Sequence, residues 1–465
     1  MYRRRIEPSH DLSHACQRFL DDLRRWAYES IARYADEPAT DVHDQGTYTT
    51  GWEPLLHATP DERILRFLQQ KRDRIRDHFT GTQQWRHGYW RMQEAHHGTE
   101  HYELFLGALQ RVLPDDRETA RQLDDAAEHM GNWSTGAPDW FDWDRRRFHS
   151  LFFGADGLRT EPGMALNSPD HLRCVNICLL AALHPDTEAA RDRYIELATA
   201  YAREWADAIL AGDALPIALT PDGILYEFSA EDKALYYAFM GEAPDLQAEV
   251  DRAENLLGSD AVNTFLRLWQ ESGELRFRQA AERLLEPLAA QLADPDAGAA
   301  ADAVRAYRRW TGDTRYDKAV LKAVAQLDPF DITEVTLDTE YKRPARRASG
   351  VGKRSDAPRW LEDGRERRHN PITLAVAAEI KGDSALHARA VDLARTYFLL
   401  ARAAFPNGRD HGCSARSVSA IARGHGRENH AGMTTAVLGP ALGYDGTRMG
   451  KGITGAELTT ASEPT

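Results

Sequence analysis

SGELRFRQAA at Ser272–Ala281, TGDTRYDKAV at Thr311–Val320 and KGDSALHARAV at Lys381–Val391 are three copies of one turn. In each, a Gly ends one helical run, an acidic residue follows, and an Ala-rich amphipathic run begins. Gly closes a helix in the left-handed conformation because it has no Cβ to clash. The acidic side chain suits the next helix's start, where it caps free N–H groups. Helices joined across so few residues lie antiparallel. The turn therefore predicts repeated helical hairpins.

The same architecture extends outward from these turns. TEHYELFLGALQRVL and DDRETARQLDDAAEHM turn over within Leu113–Asp116, and SPDHLRCVNICLLAAL and TEAARDRYIELATAYAREWADAIL turn over at His184–Asp186. The connections from one pair to the next are long: Gly131–Asn167, Gly212–Asp245, Leu327–Asn370 and Phe405–Glu428. One end of the bundle thus has short turns and the other has elaborate loops. Helices that open a pair, near Tyr102, Leu172, Val262, Val304, Ile372 and Met433, are rich in Leu, Val and Ala, as buried inner helices are. Those that finish a pair are amphipathic. About six repeats describe an all-α closed ring in two layers, with an open solenoid as the rival. A small β-hairpin is expected at Ala218–Phe228, where Pro and Asp-Gly separate β-rich flanks. The expected organisation is one domain over residues 1–448 and a tail, 449–465, that is disordered or packs on a partner subunit of a homo-oligomer.

Composition narrows the functional classes. The chain has 465 residues and a formal charge of −14, which repels nucleic acid and anionic lipid, so neither is an expected partner. The longest apolar stretches, such as Val175–Leu183, fall short of a bilayer span, and the N-terminus lacks the apolar core of a signal peptide; a cytoplasmic location is expected. The four cysteines, Cys16, Cys174, Cys178 and Cys413, form no CxxC pair and read as core thiols. Against the acidic background, Tyr341–Arg368 carries ten Lys or Arg and four Asp or Glu. It is either a solvated loop or a mobile flap over an anionic substrate.

This hairpin periodicity resembles the (α/α) toroid superfamily, the six-hairpin glycosidases and related polysaccharide lyases, from about Asp61 to Leu442. The resemblance implies a substrate cleft where outer helices return to inner ones, which is the long-loop end here. Chemically unusual residues concentrate at that end. QEAHHGTEHYELF supplies His96, His97, Glu100 and His101; GNWSTGAPDWFDWDRRRFHS supplies Asn132, Trp140, Asp142, Trp143 and Asp144. NSPDHLR places Asp170 and His171 at a helix start, and ARGHGRENHAGM places His425, Arg427 and His430 at the mouth of the last inner helix.

Three functions follow from these clusters. The first is a glycosidase acting on a uronate-containing acidic oligosaccharide, with Glu100, Asp142, Asp144 and Asp170 as candidate acid and base. Trp140 and Trp143 would stack on sugars, and His97, His425, Arg427, His430 and Asn370 would bind the substrate. The second is a lyase using His101, Tyr102, His171 or Tyr226 for proton transfer, with Asn132 and Arg427 holding the uronate carboxylate. The third is a noncatalytic helical scaffold. Each cluster also has a structural reading: aromatic staples for WFDWD, a helix cap for HHGTEHY, and loop shaping for GHGRENH. No metal or other cofactor is expected, because Gly98 should break HHGTEH and deny it the spacing of ligands on a continuous helix.

Overall fold

The computed structural model describes residues 1–39, 46–161, 163–227, 248–342, 358–406, 432–445 and 453–454. The chain opens with strand β1 (Tyr2–Arg5) and helix α1 (Leu12–Tyr34), then a 3-10 turn (Thr47–Trp52), α2 (Glu53–Ala58) and α3 (Glu62–Gly81). The next helix, α4, runs without interruption through Ala95–Glu100, a π-helical turn at His101–Leu106, and Gly107–Val112. It is followed by α5 (Arg117–Met130), α6 (His171–Ala181), α7 (Glu188–Ala211), α8 (Glu249–Gly258), α9 (Ala261–Ser272) and α10 (Leu275–Ala289). The chain continues with α11 (Gly298–Thr311), α12 (Asp317–Ala325), α13 (Pro371–Lys381), α14 (Ser384–Ala404) and α15 (Gly432–Leu442).

The recurring turn has the expected backbone. Gly273, Gly312 and Gly382 have φ of 71°, 69° and 64°, and each closes its helix through its own N–H. Asp383 then caps α14 by accepting the Leu386 N–H at 2.9 Å. Glu274 does not cap; its carboxylate pairs with Arg203 on α7 instead, so the same sequence position serves two different ends.

The layers close on themselves. Inner helices α4, α6, α9, α11, α13 and α15 pack in that order, and α15 meets α2 and the 3-10 turn, which in turn meet α4. Outside, α7 packs on α10, and α1 packs on α14, so the first helix seals the ring against the last hairpin. The fold is an (α/α) toroid. Burial explains the composition of its layers: on α13, Ile372 and the run from Leu374 to Ala378 are all buried, as a helix with neighbours on every side requires. Each such Leu or Ile contributes about 1.5–3 kcal/mol over leaving it exposed.

One outer helix departs from the amphipathic pattern. α14 is buried along nearly its whole length because α1 and a four-stranded antiparallel sheet cover its outside. The sheet has the order β1, β2 (Glu334–Lys342), β3 (Pro358–Glu362), β4 (Arg365–Glu366), with Tyr2 opposite Leu337 and Leu337 opposite Trp360. The described flanks of the basic segment are therefore strands, a structure that its charge did not announce. The Ala218–Phe228 expectation holds in its described part: Ala218 pairs with Tyr226 and Leu219 with Leu225.

Candidate functional site

The described connection Gly131–Asn167 leads into the N-terminal end of the inner helix α6, which packs against the first turns of α4. Glu94 caps α4, its carboxylate accepting the His97 N–H at 3.2 Å. Gly98 does not break the helix. Its carbonyl accepts the Tyr89 hydroxyl at 3.0 Å and the Trp90 indole N–H at 3.1 Å, and the absence of a side chain admits Tyr89, whose hydroxyl would lie 3.2 Å from a Cβ there. With the helix intact, His96, Glu100 and Glu103 fall on one face at spacings of four and three. At α6, the N-cap residue Asp170 and then Arg173 and Asn176 do the same at spacings of three.

These two faces meet in a buried polar network. His96 Nε2 lies 3.3 Å from Glu100 Oε1, and its Nδ1 lies 3.5 Å from Asp170 Oδ1. Asp170 is 3.9 Å from Arg173 Nε, and Arg173 Nη1 is 3.4 Å from Glu103 Oε2. Glu103 Oε1 accepts the Asn176 amide at 2.7 Å, and the Asn176 carbonyl accepts the Thr264 hydroxyl at 2.7 Å, carrying the network to α9. Glu100, Glu103 and Arg173 are fully buried. Burying a charge costs several kcal/mol even after relaxation, so such a concentration inside an apolar ring makes this network the candidate site. The π-helical turn that follows Glu100 is a feature that recurs at functional sites.

Elsewhere the structure corrects individual expectations. His171 is fully buried and turned away from Asp170: Nε2 meets Ser150 O at 3.0 Å, Nδ1 meets Ser168, and the ring stacks on Phe148. It pins a loop, and burial holds its pKa below the ordinary value. His101 packs among Trp85, Tyr102 and Phe105, and burial lowers its pKa to about 3. Its ring contacts are with these aromatic side chains. Tyr102 is buried too, its hydroxyl donating to Gly88 O at 2.8 Å.

The Trp-rich loop is a staple. Trp140 is fully buried against Tyr89, His129 and Phe153, and its indole donates to Gly154 O at 3.1 Å, so it presents no face to a sugar. Trp143 packs on Trp133 and Phe141 and donates to Gly131 O at 3.2 Å. Asn132, at φ 66°, accepts the Trp140 and Phe141 N–H groups. Asp142 accepts the Arg145 N–H at 2.9 Å across a tight turn, which holds its carboxyl below the usual range, and Asp144 is exposed at that turn. Asn370 caps α13, accepting the Ile372 N–H at 2.9 Å. Tyr226 is half-buried on Leu151 and Leu166. His97 is half-buried against the Glu94 carboxylate, while His425, Arg427 and His430 lie outside the described residues.

Glu103, Arg173 and Asn176 were missed by the sequence reading. The available signal was charged residues at helical spacing inside runs that were otherwise read as core.

Solved structures with this outline are remote in sequence. An unsaturated glucuronyl hydrolase from Streptococcus agalactiae is 9% identical over 82% of this chain and 91% of its own, with a TM-score of 0.46. The unsaturated glucuronyl hydrolase of Bacillus sp. GL1, responsible for the degradation of glycosaminoglycan, is 12% identical over 89% of this chain and 100% of its own, also at 0.46. A GH76 alpha-mannanase from Bacteroides thetaiotaomicron is 11% identical over 81% of this chain and 96% of its own, at 0.38. No protein-family model matches the chain, and no curated sequence matches it significantly.

Proposed function

We propose that this chain is a glycoside hydrolase that cleaves a uronate-containing oligosaccharide, using the carboxyl groups of Glu100 and Asp170. The observation that carries the reading is that these two buried carboxyls stand at opposite nitrogens of one imidazole, His96, at the loop-rich end of the ring. Hydrolysis needs one carboxyl to protonate the leaving oxygen and another to activate water. A pair held apart by a ring, with a titratable group between them, can sustain different protonation states. The uronate part is supported by the basic segment, whose Arg368 is exposed beside the start of α13.

Elimination is the second reading, and His96 favours it by position: its ring stands between the Glu100 and Asp170 carboxyl groups as a candidate base. Incubating the full chain with uronate-containing and neutral oligosaccharides, with and without chelator, separates these. New reducing ends alone indicate hydrolysis, and reducing ends with the ultraviolet absorbance of an unsaturated uronate indicate elimination. No product from any sugar would defeat both.

A further inference from the structure

We propose that His96, His97 and Glu100 form a binding site for one divalent transition-metal ion, with zinc as the type case. Each side chain offers a ligand atom, and these atoms lie within 4.8 Å of one another. Bonds of about 2.0–2.2 Å to nitrogen and oxygen would gather them with sub-ångström side-chain movement. The sequence spoke against a metal because the spacing is not a recognised one, no Cys is near and Gly98 was expected to break the segment. The helix runs through Gly98, so His96 and Glu100 sit one turn apart and His97 joins them from the same turn. Among the described residues, no other trio of His, Cys, Asp or Glu converges in this way.

The surroundings point the same way independently. A histidine that binds a metal through one nitrogen commonly gives its other N–H to a carboxylate, which fixes the tautomer and strengthens the ligand. His96 has that arrangement: Nδ1 faces Asp170, a residue of a different helix, and Nε2 faces Glu100. His97 repeats it, with Nδ1 against the Glu94 carboxylate. The two imidazoles are 4.7 Å apart, centre to centre. Two nitrogens and one carboxylate oxygen leave a coordination position open, as in catalytic rather than structural sites.

Ion binding here does not depend on glycoside cleavage, because it is read by stoichiometry. In the ion-bound form Glu100 is a ligand, so chelation in the turnover assay separates a metal-dependent reaction from one in which Glu100 transfers a proton. The test is to strip the full chain with chelator, dialyse it, and titrate it calorimetrically with zinc and with cobalt, reading metal content by elemental analysis. One equivalent per chain is expected, with visible cobalt bands of nitrogen and oxygen ligation. His96→Gln and Glu100→Gln should abolish binding, and Asp170→Asn should weaken it by about 10–100-fold. His97→Gln, at a half-exposed position, keeps the test alive if the buried variants fail to fold, which circular dichroism in chelator would show. Sub-stoichiometric uptake by the wild type, or uptake unchanged in His97→Gln and the other folded ligand variants, would overturn the proposal.

Discussion

The start of α4 and the Trp-rich loop look alike in sequence, since both mix acids, aromatics and histidines, yet they do opposite things. In the loop, polar side chains are answered locally: Asn132 by Trp140 and Phe141, Asp142 by Arg145, Trp143 by Gly131. Such closed local sets shape backbone and hold a hairpin, Phe141–Asp142 against Arg147–Phe148. At α4 the partners come from far along the chain, with Asp170, Arg173 and Asn176 answering His96 and Glu103. Buried polar groups that converge across helices are where chemistry is to be sought.

Breaking the comparison at its strongest point means removing one carboxyl from each region. Glu100→Gln or Asp170→Asn should lower kcat by about 10²–10⁴-fold, the usual worth of a general acid or base. Asp144→Asn, at an exposed turn, should leave kcat within about twofold and the melting temperature unchanged. Equal losses in all three, measured on folded protein, would erase the distinction. Trp140→Ala should instead destabilise the fold by about 3–5 kcal/mol in denaturant titrations. A Trp140→Phe variant that keeps stability but raises KM for an oligosaccharide would restore a stacking role to this indole.

His101 sharpens the contrast through pH. Its pKa falls from 6.5 to about 3 in the fold, so between these values the unfolded chain binds the extra proton. Stability due to this residue is therefore complete above about pH 6.5 and is lost as pH falls toward 3. His101→Phe should flatten the stability profile in that window by up to about 1.4 kcal/mol per pH unit, measured against wild type. An identical slope in both proteins would place the imidazole in water. A smaller destabilisation belongs to the turns. Gly273, Gly312 and Gly382 have open space within 4 Å of where a Cβ would sit, so Ala at any one costs only the left-handed backbone, about 1–2 kcal/mol, read as a small drop in the denaturation midpoint.

Legibility followed the range of the interaction. Hairpins, inner apolar helices and the loop-rich end were readable because helix periodicity, Gly turns and connection lengths are local properties. Gly98 misled the reading, since its helix persists through hydrogen bonds from Tyr89 and Trp90. Asp170 and His171 are adjacent in sequence, but one joins the network and the other faces a loop, a choice made by helix rotation and the neighbouring strands. The four-stranded sheet was invisible because it joins Tyr2–Arg5 to a segment more than 300 residues away.

The sequence by itself determined the helices, their pairing into hairpins and the polarity of the ring, because each depends on residues within a turn or two of one another. Only the tertiary structure decided which charged groups meet. Glu103, Arg173 and Asn176 acquire meaning from burial and from the closure of inner helices around them, and the energy of a charge depends on what surrounds it in space.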